Sequence, residues 1–146
     1  MPHRILAAVD DSPRAPHVLA AALEQARQTS SALRVLHVIA IPPEFPAAGH
    51  TATGDPLPAY MHKLAEERLR KLLQGVHDVS WEILIEESHR ASQEILDQAA
   101  KYQADLIVIG SHGYDAIDRL LGTTAAKVVN LSPIDVLVVH RQRPTG

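Results

Sequence analysis

Five short apolar runs alternate along the chain with four segments whose apolar residues recur at helical spacing. The runs cover residues 4–9, 33–39, 79–85, 106–109 and 134–140, and the helical segments cover 12–28, 61–73, 92–100 and a stretch that starts near 123. Strands that alternate with helices favour a parallel sheet with helices on both faces. The 146 residues fit a single domain, 1–146, and contain no internal repeat. The sequence therefore predicts an open α/β sheet of five parallel strands.

Local signals refine the bounds of these elements. Ser12 is a good N-cap and Pro13 suits a first helical position, so we expect the first helix to start there. Gly75 is placed to close the second helix. Residues 40–58 hold five of the ten prolines and show no periodicity, which predicts a long loop. The run 79–85 alternates polar and apolar residues, which predicts a strand nearer a sheet edge.

Composition excludes several classes of function. The chain has no cysteine, which rules out disulfides and thiolate metal sites. A formal charge of −3 without a basic cluster argues against nucleic-acid binding. No apolar run approaches the roughly 20 residues of a membrane-spanning helix, and the cytoplasm is the simplest compartment. The nine histidines show no metal-ligand spacing, so we predict no metal site.

One stretch, DLIVIGSHGYDAIDRLLGTTAAK over residues 105–127, carries the strongest functional pattern. An apolar strand runs into Gly110 and Gly113, and Gly122 then precedes Thr123 and Thr124 at the head of an alanine-rich helix. Glycines let backbone N–H groups approach an anion, and a helix N-terminus offers unpaired donors. The alternative is that these glycines only form the turns that end the strand and begin the helix. No lysine stands between Gly122 and the hydroxyl residue Thr123, so this is not a Walker A loop. We predict a phosphate site of another kind.

The position of this stretch also constrains the order of the strands. Ligands of open α/β sheets bind beyond the carboxyl ends of the strands, where the strand order reverses. The two loops with unusual chemistry follow the first strand, at Asp10, and the fourth strand, at the glycine turn that starts with Gly110. If both loops share one site, strands one and four are neighbours and the order is 3-2-1-4-5. His112 lies inside the glycine turn, so we expect it near a ligand, together with Ser111.

Several segments together resemble the universal stress protein family. They are AVDDS at the end of strand one, HVI at the end of strand two, and DLIVIGSHG, LLGTTAAKVV and IDVLVV, so the resemblance spans nearly the whole chain. It implies a Rossmann-like fold of the adenine nucleotide alpha hydrolase type. The family's nucleotide-binding members have G-x2-G-x9-G-[S/T], whereas eight residues separate Gly113 from Gly122 here. The shorter loop resembles that of a family subgroup that binds ATP.

The resemblance implies a role for each matching position. Asp10 accepts hydrogen bonds from base or ribose, Val38 meets adenine through its backbone, and Gly110 passes close to ribose and phosphates. The phosphate-holding residues are Gly113, Gly122, Thr123 and Thr124. Asp10 has a simpler alternative role beside a helix dipole.

The loop within this stretch carries three charged residues. Asp115 and Asp118 either help to hold Mg²⁺ or face solvent, and Arg119 either offsets phosphate charge or is an exposed cation. The expected cofactor is therefore ATP, with or without Mg²⁺.

Three functions stay open at this point. The first is an ATP-binding stress-response switch or survival factor that is not an enzyme beyond weak turnover. The second is a slow ATPase or self-phosphorylating enzyme that modifies Ser111, Thr123 or Thr124. The third is a nucleotide-free dimeric interaction module. In each case the apolar last strand, Ile134 to Val139, would form a bare sheet edge, which predicts a homodimer paired through it.

Overall fold

The chain folds as a five-stranded parallel sheet with the order β3-β2-β1-β4-β5, as the sequence predicted. The structure is a computed structural model that describes residues 3–40, 57–112 and 121–140. The elements in chain order are β1 (Arg4–Ala8), α1 (Ala15–Thr29), β2 (Ala32–Ala40), α2 (Leu57–Leu72), β3 (Trp81–Ser88), α3 (Ala91–Tyr102), β4 (Leu106–Gly110), α4 (Thr123–Leu131) and β5 (Asp135–Val139).

The central strands are buried on both faces, because helices cover both sides of the sheet. Along β1, Ile5 and Ala7 face the layer of α1 and α2, whereas Leu6 and Ala8 face the layer of α3 and α4. Successive side chains of a strand point to opposite faces, so a strand covered on both sides reads as an unbroken apolar run. Ala7 shows this position directly, since it pairs with β2 on one side and with β4 on the other.

The first helix starts later than the sequence predicted. α1 begins at Ala15, and neither Ser12 nor Pro13 lies in the helix; Pro16 occupies its first turn instead. Ser12 still caps the turn that leads into the helix, because its Oγ accepts a hydrogen bond from the Arg14 N–H at 3.3 Å. The carboxylate of Asp10 in turn accepts from the Ser12 N–H at 2.9 Å. That local turn competes with helix formation. It leaves Arg14 at the N-cap position.

Other bounds shift by smaller amounts. The third strand covers Trp81–Ser88 rather than 79–85, because its pairing with β2 begins at Trp81 opposite Leu33. It lies at a sheet edge, as predicted. Gly75 has a φ of +87° three residues after α2 ends, a conformation that glycine adopts without strain. The long loop predicted over 40–58 lies largely outside the described residues, and α2 begins at Leu57.

The fifth strand forms the opposite edge of the sheet. β5 pairs with β4 alone among the described strands, and its apolar residues Val136 to Val139 are only half-buried. Within the described ranges, no helix has both the length and the apolar character that a membrane crossing requires.

Candidate functional site

A cavity of about 530 Å³ opens at the carboxyl edge of the sheet, where β1 and β4 lie side by side. This is the point at which the strand order reverses, and α/β sheets bind ligands there. The volume is within the usual range for small-molecule sites. Eight of the predicted site residues line the cavity: Asp10, Val38, Gly110, Ser111, His112, Gly122, Thr123 and Thr124. The ninth, Gly113, lies outside the described residues, as do Asp115, Asp118 and Arg119.

Gly122 joins the start of α4 to the end of β4. Its N–H donates to the Ser111 carbonyl at 2.7 Å. A Cβ on Gly122 would lie 3.2 Å from that carbonyl oxygen and 3.5 Å from the Cα of His112. Both neighbours are backbone atoms, which cannot rotate away as a side chain can. The contact therefore favours a residue without a side chain, because a Cβ would force the backbone apart by a few tenths of an ångström. It brings both ends of the glycine-rich stretch to the cavity.

The first turn of α4 presents unpaired donors at the cavity. The first hydrogen bond within the helix runs from the Ala126 N–H to the Gly122 carbonyl, so the N–H groups of Thr123, Thr124 and Ala125 precede every intrahelical acceptor. Gly122 is the N-cap and supplies no side-chain cap. Unpaired amides and the positive end of a helix dipole are neutral groups that suit an anion.

Gly110 connects this region to the opposite side of the sheet. It is the last residue of β4, and a Cβ there would lie 3.0 Å from Cγ2 of Val18 in α1. Here the close neighbour is a side-chain atom rather than backbone. Gly110 and Ser111 thus lie between the first turn of α4 on one side and the beginning of α1 on the other.

Asp10 follows β1 and exposes its carboxylate at the cavity. Its Oδ1 accepts from the Ser12 N–H, and the described residues give Oδ2 no hydrogen bond. One oxygen therefore stabilises the local turn while the other is available to a ligand donor. The structural and the ligand-binding interpretations of this residue are compatible.

Ser111 and His112 form a buried polar pair within the glycine turn. Ser111 Oγ lies 3.0 Å from Nδ1 of His112, and the two side chains are 1% and 8% exposed. The Ser111 N–H donates to the Val139 carbonyl, which ties the turn to the end of β5. The sequence pattern did not indicate a base beside Ser111, because residues adjacent in a chain often point apart.

An apolar compartment lies on the α3 side of the cavity. It is lined by Val38 at the end of β2, by Ile109 and by two residues of α3, Ala91 and Ile95. Behind Val38, the ring of His37 donates from Nδ1 to the Val9 carbonyl at 2.9 Å, since a carbonyl can only accept. This bond fixes the ends of β1 and β2 relative to each other. The compartment offers apolar surface and backbone groups, which suits a flat heteroaromatic ring.

The α1 and α2 side carries charged groups that the sequence analysis did not select. Arg14, at the N-cap of α1, lines the cavity, and its Nη1 is buried with no hydrogen-bond partner among the described residues. Arg68 of α2 also lines the cavity, and its Nη1 lies 3.8 Å from Oδ2 of Asp11. No motif marks either arginine. Only the turn after β1 and the packing of α2 on the same face bring them to the site.

Comparisons with known proteins agree with this architecture. The sequence profile of the universal stress protein family matches residues 1–140. Universal stress protein A homolog 1 of Coxiella burnetii is 34% identical over 140 residues, covering 92% of this chain and 94% of that protein.

Solved structures show the same similarity. Universal stress protein UspA from Lactobacillus plantarum has a TM-score of 0.75 at 26% identity, with 94% and 97% of the two chains covered. A universal stress protein from Archaeoglobus fulgidus, solved in complex with dAMP, has a TM-score of 0.60 at 25% identity, with 95% and 98% covered. The chain belongs to the universal stress protein family.

Proposed function

We propose that this protein binds adenine nucleotides in the crevice between β1 and β4, with ATP as its physiological ligand. The observation that carries the proposal is the pairing of an apolar compartment at Val38 and Ile95 with unpaired amides at the start of α4. A purine needs the first and phosphates need the second. The dAMP complex of the Archaeoglobus fulgidus relative supports an adenine nucleotide as the ligand class.

In this proposal each part of the nucleotide contacts a different group of the site. The base would stack in the apolar compartment beside Val38, and the free Oδ2 of Asp10 would accept from a ribose hydroxyl or the base. The first phosphate would receive the N–H groups of Thr123 and Thr124. Mg²⁺ would accompany ATP as a charge-neutralising cation.

We further propose that the protein is a nucleotide-dependent switch in the stress response and not an efficient enzyme. Fast phosphoryl transfer needs a positioned general base and dense cationic stabilisation of the phosphates. Within the described ranges, His112 lies beside Ser111 as a base, but two arginines and no lysine line the cavity. We expect this cationic stabilisation to be too sparse for fast phosphoryl transfer. A switch that follows ATP levels would act where ATP is produced, so we place it in the cytoplasm.

The first experiment is native mass spectrometry of the freshly purified protein. Co-purified adenine nucleotide is the expected result, and its presence would exclude a nucleotide-free interaction module. The second is thermal unfolding with millimolar ATP and Mg²⁺. At 100-fold excess over the dissociation constant, ligand binding stabilises a protein by about 2.7 kcal/mol, which corresponds to roughly 5–10 °C in Tm at this size. An unchanged Tm and no retained nucleotide would refute the proposal.

A second candidate function rests on the Ser111 and His112 pair. In a self-phosphorylation step, Ser111 Oγ would attack the γ-phosphorus of ATP while its proton passes to Nδ1 of His112, 3.0 Å away. An Oγ–P bond forms, the bond from the γ-phosphorus to the β–γ bridging oxygen breaks, and ADP leaves. Incubation with γ-labelled ATP tests this: label that disappears in Ser111→Ala supports it. Label that depends instead on Asp115 and Asp118 would indicate cation-assisted transfer to another acceptor.

We also propose a homodimer paired through the last strand. The half-buried apolar residues of β5 lie on an open sheet edge, and two-fold pairing with a second β5 would cover them. Light scattering after size exclusion should give twice the chain mass. Val138→Asp should give the monomer mass with unchanged circular dichroism, whereas Tyr60→Asp on the exposed surface of α2 should remain dimeric. A monomeric unmodified protein would refute the pairing.

A further inference from the structure

Among the described residues, Arg14 carries a buried side-chain nitrogen that has no hydrogen-bond partner. Its Nη1 is buried and has no acceptor there, although the side chain lines a cavity open to a ligand. A buried cationic donor without a partner costs free energy. Arg68, on the same side, has a carboxylate within 3.8 Å. Asp10 and Asp11 line the same cavity, so the formal charges balance. What Arg14 lacks is a hydrogen-bond acceptor for its Nη1.

Arg14 and Gly110 line the same cavity and are related through Val18 of α1. The Val18 N–H donates to the Arg14 carbonyl at 3.2 Å, so Arg14 stands one helical turn before Val18. Val18 in turn packs against Gly110, at the 3.0 Å distance that a Cβ would have from its Cγ2. Arg14 thus lies beyond Gly110 on the α1 side, opposite the first turn of α4.

Arg14 and the α4 amides line one cavity, so a ligand that contacts both would be a polyphosphate. Its first phosphate would lie at the α4 amides, and the chain would cross the sheet edge at Gly110, where no side chain obstructs it. The far end would then reach Arg14. A guanidinium provides paired donors with the geometry that phosphate oxygens accept.

We propose that Arg14 binds the terminal phosphate of the nucleotide and selects ATP over AMP. This rests on the proposed nucleotide site and adds to it a residue that distinguishes the number of phosphates. The α4 amides would bind mono-, di- and triphosphates alike, whereas Arg14 would contact only a ligand long enough to cross Gly110. The consequence is a site that responds to the phosphorylation state of the adenine nucleotide pool.

The test is calorimetric titration of ATP, ADP and AMP into the full chain and into Arg14→Gln. We expect ATP affinity to fall by about 10- to 100-fold, as for loss of a charge-assisted hydrogen bond, and AMP affinity to change less than about twofold. Arg14→Lys should recover part of the loss. Arg70→Gln is the matched control, because Arg70 is exposed and pairs with Glu66 on α2 away from the cavity; it should leave all three affinities unchanged.

The outcomes separate this proposal from the proposed function. If the unmodified protein binds none of the three nucleotides, the nucleotide site itself is refuted. If Arg14→Gln weakens ATP and AMP equally, or neither, the site stands and the role of Arg14 is refuted. Thermal unfolding without ligand adds a second readout. A ligand-binding arginine with an unpaired donor predicts an equal or higher Tm in Arg14→Gln, whereas a purely structural arginine predicts a lower one.

Discussion

The two walls of the crevice offer positive charge to a ligand in different ways. The α4 wall uses neutral groups, namely the N–H groups of Thr123, Thr124 and Ala125 and a helix dipole. The α1 and α2 wall uses full charges on Arg14 and Arg68, beside the carboxylates of Asp10 and Asp11. Backbone donors are fixed by the fold and bear no desolvation cost of a full charge. We therefore expect the α4 wall to bind any phosphate, and the α1 and α2 wall to discriminate among nucleotides.

The glycines of the two walls have correspondingly different neighbours. Gly122 is pressed against backbone, and Gly110 against the side chain of Val18. Backbone at a strand end can move only with its sheet, whereas a valine side chain can be altered or removed. Substitutions at the two glycines should therefore differ in severity and in whether a second substitution can rescue them.

The largest effect is expected for Gly122→Ala. The new Cβ would lie 3.2 Å from the Ser111 carbonyl oxygen, which would strain the hydrogen bond that joins α4 to β4. Overpacking of this kind costs about 1–3 kcal/mol, and the displaced α4 amides should weaken ATP binding by about 10-fold or more. Thermal unfolding and calorimetry measure the two effects. Full ATP affinity in a folded Gly122→Ala protein would contradict the role given to the α4 wall.

A smaller and rescuable effect is expected for Gly110→Ala. Its Cβ would lie 3.0 Å from Cγ2 of Val18, so Val18→Ala should make room for it. Each single substitution should destabilise the protein. The double variant should lose about 1 kcal/mol less unfolding free energy than the two single variants lose in total, as for residues in direct contact. A double-mutant cycle by urea unfolding measures this coupling, and strict additivity would show that the contact carries no strain.

The smallest effect is expected far from the crevice, at the ion pair of Arg27 and Asp78. Arg27 donates from Nε to Oδ2 of Asp78 at 2.6 Å, and this hydrogen bond lowers the pKa of the Asp78 carboxyl. A lowered folded-state pKa contributes stability that is present above the ordinary carboxyl pKa of about 4 and is lost as pH falls through the folded value. Asp78→Asn should slightly reduce the acid sensitivity of Tm. High salt should mask the difference, because both groups are exposed.

Control titrations sharpen the same contrast. Asp78→Asn should leave ATP and AMP affinity unchanged, since the pair lies at the end of α1 away from its N-cap. A change in nucleotide affinity would show that the α1 wall responds to the opposite end of its helix, and the two walls would then not be independent.

The sequence predicted the fold and the α4 wall because both depend on local patterns. Apolar runs such as Leu106 to Ile109 identify doubly covered strands, and Gly122 before two threonines identifies a helix start with free amides. Both features are readable from spacing. The strand order followed from the single assumption that the loops after β1 and β4 share a site.

The α1 and α2 wall was not predictable in the same way. Two prolines, Pro13 and Pro16, each suit the start of α1, and sequence gives no reason to prefer the second. In the structure a turn held by Asp10 and Ser12 precedes the helix, so that Arg14 is the N-cap and lines the cavity. Arg68 reaches the site only through the packing of α2, a contact between segments distant in the chain. Charged residues placed by tertiary structure leave no local pattern.

The most direct test of the two-wall account is an NMR titration of the isotope-labelled protein with AMP and then with ATP. We expect AMP to shift the amide signals of Gly122, Thr123 and Thr124 and to leave the Nε–H signal of Arg14 in place. ATP should shift all four. Shifts of the Arg14 signal with AMP, or no shifts in α4 with either nucleotide, would contradict the account.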